Sequence, residues 1–322
     1  MHASASELDD LLEWSPGPPD AARADILGAF RWGTGRAFHS KAVIFWLWLI
    51  NLGLALVLVA PLYSLIYAHT ATSSAAAQLS QGFTAVWWTD FSHAQAAALG
   101  TLPNTIWFAG AFYLMLHLLL AGGMLTFLHT DQHFPFFARF GAACGNYFGR
   151  FFRLLLIALA CYWAVLWING RLFSLVLWWS DNGALQPQAW WGHLARNIFT
   201  VVLFFTVSLV FDYAKVRTVV TDSRSMLLEA ARSFRFVFGH LLRTGSLYLL
   251  LLTAGALLMA LYWAGARGLG LLGAALLPLF LLQQLYLAAR LWLRLATWGG
   301  AISLFKGIAN EQLAASADSE DR

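Results

Sequence analysis

Between residues 42 and 67 the chain reads AVIFWLWLINLGLALVLVAPLYSLIY, 26 residues without a formal charge. Comparable runs recur five more times. About 20 apolar residues of helix cross the hydrocarbon of a bilayer. The pattern therefore implies an all-α, polytopic integral membrane protein. Spans are expected near 42–67, 105–128, 152–170, 196–214, 245–266 and 268–292. The fourth has the weakest signal, because its uncharged core NIFTVVLFFTVSLVF has only 15 residues and its ends must borrow interfacial ones. The fifth and sixth are joined by a short turn around GARGLG. Charge is scarce for the same reason: 11% of the residues are charged and 60% hydrophobic, where a soluble domain carries about 25% charged residues. A charge at the bilayer centre costs several kcal/mol.

Lysine and arginine set the orientation. The N-terminal segment, the loops after spans two and four, and the end of span six hold most of them. The opposite loops hold Arg171, Arg196 and Arg267, and the stretch from Tyr67 to Gly100 holds none. The positive-inside rule places both termini in the cytoplasm, with a bacterial inner membrane as the expected location. Three Trp pairs, Trp87-Trp88, Trp178-Trp179 and Trp190-Trp191, all fall in the loops assigned outside. Indole favours the head-group region, so these loops are expected to form short helices on the outer interface.

The ends of the chain are polar. Residues 1–25 are acidic and Pro-rich, which implies a disordered cytoplasmic tail rather than a signal peptide. Residues 26–308 form the membrane domain, and 309–322 a second polar cytoplasmic tail. Cys144 and Cys161 are too few for a disulfide framework, and a cytoplasmic Cys144 stays reduced. The net charge of +4 suits anionic lipid head groups, and no nucleic-acid-binding pattern accompanies it.

Two cytoplasmic loops resemble each other: TDQHFPFFARFGAACGNYFGRFFRLLL from Thr130 and TDSRSMLLEAARSFRFVFGHLLRTGSL from Thr221. Both open with Thr-Asp, and both later carry Phe-Gly-[Arg/His]-x-x-Arg. Each is amphipathic at helical spacing. In the first, Phe137, Phe140, Cys144, Phe148 and Phe151 share a face. In the second, Leu227, Ala231, Phe234, Phe238 and Leu241 do. Phenylalanine on one side with arginine on the other is the pattern of an interfacial helix, here expected to lie on the cytoplasmic surface. Arg150, Arg153, Arg232, Arg235 and Arg243 are the residues expected to face head groups. A third echo joins GGMLTFLH from Gly122 to GGAISLFK from Gly299. Spacing of roughly 90 residues marks a repeat, and its simplest form is three helical hairpins, each leading into an amphipathic segment.

The stretch VVTDSRSMLLEAARSFRFVFGHLLRTGSLYLLLL resembles the repeated element of bacterial six-span membrane proteins. These include the YciC-like proteins and the membrane domain attached to some glycerophosphodiester phosphodiesterases. The matching residues are Asp222, Ala230, Ala231, Arg232, Ser233 and Gly239. The resemblance covers 217–252 well and 120–300 loosely. It implies a six-helix integral membrane protein. No phosphodiesterase domain is present, so that activity does not carry over. A rival match is the EAA loop of ABC permeases, through Glu229-Ala230-Ala231. That motif requires Gly where this chain has Arg235.

Little in the sequence points to bond chemistry. There is no phosphate-binding glycine loop, nucleophile elbow, paired catalytic carboxylates or HExxH, and neither a cofactor nor a metal is expected. His129 and His133 have ligand-like spacing, but metal sites need three or more ligands. Asp212, at the inner end of span four, is the leading candidate functional residue. It serves either an ion path or, as the preferred reading, an interface anchor paired with Lys215, Arg290 or Arg294. The expected function is a non-enzymatic membrane protein that engages anionic inner-leaflet lipids, a protein partner or further copies of itself. The alternative is a small-solute transporter or channel component using Asn51, His117, Gln283 and Gln284. An intramembrane lipid enzyme is the third reading.

Overall fold

The structure is a computed structural model, and it describes residues 25–71, 85–130, 136–181, 186–271 and 276–320. All regular structure among them is α-helical: α1 (Ile26–His39), α2 (Lys41–Ala71), α3 (Ala85–Ala94), α4 (Ala96–His129), α5 (Phe136–Asp181), α6 (Gln186–Val220), α7 (Met226–Gly239), α8 (Leu241–Leu271) and α9 (Leu276–Glu320). Six of these, α2, α4, α5, α6, α8 and α9, are long and apolar enough to cross a membrane. In hydrocarbon a backbone must satisfy its own hydrogen bonds, which makes helix the outcome for such sequences. The expected tail 1–25 lies outside the described residues apart from Asp25, whose carboxylate caps α1 by accepting from the Gly28 N–H at 3.2 Å.

Three boundaries differ from expectation. The first amphipathic loop segment is not a separate helix, because α5 runs unbroken for 46 residues. Its glycines Gly141, Gly145 and Gly149 have open space where a side chain would be, and no proline interrupts it after Phe136. GARGLG is helix within α8 rather than a turn, and α9 begins at Leu276 rather than 268. Glycine costs a helix up to about 1 kcal/mol in water, but an apolar environment offers the backbone no competing partner. The expected tail from 309 is helical as far as Glu320. Of the Trp pairs, only Trp87-Trp88 lies in a short helix; the others sit in the terminal turns of α5 and α6.

The chain divides into two compact units, Ala42–Leu118 and the remainder. In the first, Trp87 and Phe91 are buried and stacked with centroids 5.1 Å apart, packed on Leu65, Ile66 and Leu99. Asn51 accepts from the Tyr113 hydroxyl at 3.0 Å.

In the second unit the buried residues gather at one end of the helices. They comprise the last turns of α4, α6 and α9, the first turns of α5 and α8, and one face each of α1 and α7. This layer is the collar. Toward the opposite ends α5, α6 and α8 expose Leu, Val, Phe and Trp, as lipid-facing surfaces do. In the collar α1 packs on α9 and α8, α7 on α6, α5 and α8, and α9 on α6. Glycine enables the closest of these crossings. A Cβ at Gly33 would lie 2.4 Å from the Gly300 nitrogen.

Candidate functional site

The collar concentrates the charged groups. Glu229 is 1% exposed and lies between two arginines, Arg217 Nε at 3.1 Å from Oε2 and Arg232 Nη1 at 3.1 Å from Oε1. Helix α7 positions it: Glu229 shares a buried face with Met226, Ala230, Ser233 and Val237. Arg217 comes from the end of α6 and its guanidinium stands 5.3 Å from the Phe305 ring of α9. A buried carboxylate needs such partners, since losing one leaves an uncompensated charge. In the sequence Glu229 stands out only as a letter of the EAA match. Its spacing of three from Arg232 was the local signal for an ion pair.

Asp222 lies in the turn between α6 and α7 with φ 46°, a left-handed conformation that Asp tolerates better than most residues. Its carboxylate accepts from Arg150 and from the Tyr147 hydroxyl at 3.2 Å. Arg150 also donates to the Asp222 and Ser223 carbonyls, each at 3.1 Å. The start of one Thr-Asp loop is thus tied to the Phe-Gly-Arg of the other.

Asp212 pairs with Lys215, one of the three cations named from sequence, at 2.9 Å. Tyr248 of α8 donates to its other oxygen at 3.5 Å and lies 3.3 Å from Ser208. The result is a half-buried polar cluster on an otherwise apolar helix.

The five arginines expected at head groups occupy different surroundings. Arg153 and Arg235 are exposed. Arg243 is half-exposed and pairs with Glu311 of α9 at 2.7 Å. Arg150 and Arg232 fold onto Asp222 and Glu229. On α7 the exposed face is apolar: Leu227 is 71%, Phe234 54% and Phe238 47% exposed, and the two rings are 4.4 Å apart. The buried face is the one that carries Glu229 and Ser233.

The polar groups named for transport each have local surroundings. Asn51 donates to the Leu47 carbonyl at 2.7 Å, His117 lies edge-on to Tyr113 at 5.9 Å, and Gln283 is exposed on α9. His129 ends α4, while His133 lies outside the described residues. Arg171, Arg196 and Arg267 each stand over an aromatic ring: Arg171 over Trp167 at 5.1 Å, Arg196 over Phe173 at 4.8 Å and Arg267 over Trp263 at 4.0 Å. No protein-family model, curated protein or solved structure matches this chain.

Proposed function

We propose that this is a non-enzymatic multi-pass membrane protein whose collar faces the cytoplasm and engages the anionic inner leaflet, in membrane organisation or in assembly with a partner. The outward face of α7 carries the reading. Leu227, Phe234 and Phe238 point away from the fold beside exposed Arg235, while the polar side of the helix is used internally. Water does not favour a pair of exposed phenylalanines in contact, and an amphipathic helix sinks such a face about 5–10 Å into the head-group boundary. The exposed apolar surface continues along α8 through Leu242, Leu249 and Leu252. The Lys and Arg asymmetry supports cytoplasmic termini and a bacterial inner membrane. Three hairpins with amphipathic helices between them, as in the YciC-like proteins, remain the arrangement we favour.

The second reading, a small-solute transporter or channel component, draws on the Asp212, Lys215, Tyr248 and Ser208 cluster. Native mass spectrometry of protein extracted in mild detergent separates the two. The lipid reading expects bound anionic phospholipid that salt displaces. A small-solute adduct lost in Asp212→Asn, without anionic lipid, would reverse the order.

A further inference from the structure

Three crossings in the collar share one construction. Helix α1 lies against α9 just past its midpoint, with Gly33 against Gly299 and Gly300. The start of α5 lies across the end of α4, where a Cβ at Gly122 would stand 2.9 Å from the Tyr147 Cβ and one at Gly123 2.7 Å from the Cys144 sulfur. Helix α7 lies across the end of α6, where Ala230 packs with Phe211 and Ala214. Each crossing helix thus rests on the end of the preceding returning span, and α1 rests on the last one.

One arginine then reaches from each crossing region to the polar end of the span that follows it. Arg36 donates to the Thr130 carbonyl, Arg150 to Asp222 and Ser223, and Arg243 to Glu311. The order is crossing helix, two spans, strap, three times over. The two Gly-Gly segments noticed in the sequence, at 122 and 299, are the seats of two crossings. Helix α1 is the member that has no Thr-Asp or Phe-Gly-x-x-x-Arg mark in the sequence.

The outward sides correspond as well. On α1, Phe38 is 60% exposed with Lys41 Nζ 4.9 Å from its ring. On α5, Phe152 is 37% exposed beside exposed Arg153. On α7, Phe234 and Phe238 flank Arg235. The α5 station continues along its helix through exposed Leu156 and Leu159, as α7 continues into α8. An apolar side chain beside a cation, continuous with a lipid-facing surface, is complementary to an anionic phospholipid.

We propose that the collar is a closed ring of three equivalent crossing helices, presenting three aromatic–cation stations to anionic phospholipid. This rests on the lipid reading above. A single cation at an anionic surface is a weak attraction, about fivefold in binding, whereas three on one rigid frame act together.

The test uses the full-length protein in detergent with equimolar phosphatidylglycerol and phosphatidylcholine, and native mass spectrometry reads the ratio bound. Three variants each remove one station: Phe38→Ser with Lys41→Gln, Phe152→Ser with Arg153→Gln, and Phe234→Ser with Phe238→Ser and Arg235→Gln. Each should lower the phosphatidylglycerol preference by a similar factor, about fivefold, and all three together should abolish it. Loss of the whole preference in the α7 variant alone, with the other two silent, overturns the ring of equals and leaves the lipid reading standing. No preference in the unaltered protein, or none of the variants altering it, overturns both. Charge-only variants at Lys41, Arg153 and Arg235 repeat the comparison if a serine variant fails to fold.

Discussion

Gly33→Ala tests the seat of α1 on α9. The added Cβ would stand 2.4 Å from the Gly300 nitrogen and 2.5 Å from the Ala296 carbonyl oxygen. Both are backbone atoms in the middle of a helix, so neither can turn aside. Restoring ordinary contact requires α1 to retreat by roughly 1 Å, and a methylene forced into a packed site costs about 1–3 kcal/mol. The upper end applies here, because Ala29 and Ala37 on the same face are both fully buried and lose contact together. Alanine returns about 0.5–1 kcal/mol of helix propensity, which leaves a net loss of about 2 kcal/mol, or roughly thirtyfold in the folded ratio. Gly35 is the control. Nothing lies within 4 Å of its Cβ position, so Gly35→Ala keeps the propensity gain and should stabilise by about 0.5–1 kcal/mol. Denaturation of the detergent-solubilised protein, followed by tryptophan fluorescence, reads both. Opposite signs are expected. Equal stability of the two variants would refute the crossing.

Other perturbations follow from the charge networks. Glu229→Ala should destabilise by about 3–5 kcal/mol, since it leaves Arg217 and Arg232 facing each other without the carboxylate; a midpoint shift under 1 kcal/mol in the same denaturation assay would count against the buried pair. Asp222→Ala combines a lost ion pair with a left-handed backbone that alanine resists, so it should lower stability more than Asp222→Asn, which tolerates that backbone. Asp212→Asn should lower stability by no more than about 1 kcal/mol, because the Lys215 pair is partly solvated. Retained lipid binding with that small loss is expected, and abolished binding in a folded variant would move Asp212 from anchor to functional group. A cysteine replacing Ser80 should react with an impermeant reagent applied to sealed cells and one replacing Ser316 should not; labelling of the second would invert the assigned orientation.

What the sequence made legible was set by period and composition. Six apolar runs imposed six long helices. On α7 Leu227, Phe234 and Phe238 are exposed together, but so is Arg235, while Arg232 turns to the buried Glu229, so arginine does not keep to the side opposite phenylalanine. Residues that act through distant partners gave no such signal. Glu229 looks like an ordinary surface glutamate until Arg217, twelve residues earlier and on another helix, is brought against it. Helix α1 carries its contact face on Ala29, Gly33 and Ala37, residues too small to register as an apolar stripe, and its partner glycines lie at the far end of the chain. The unbroken α5 was hidden for a different reason. A change from mixed to apolar composition at residue 152 resembles an element boundary, yet helical hydrogen bonding is indifferent to it.

The seat of α1 on Gly299 and Gly300 also imposes an order on biogenesis. Helix α1 is made well before α9, and its partner glycines emerge roughly 270 residues later, which at 5–20 residues per second is a delay of about 13–50 s. During that interval the small-residue face of α1 lacks its glycine seat, even after α8, its other neighbour, has inserted. Ribosome-bound chains arrested before residue 299 should therefore leave α1 open to protease, and chains extended until α9 has emerged should protect it in a single late step. Quality control in the membrane would then have one simple sign that α9 has docked, the concealment of α1 by a helix made long after it.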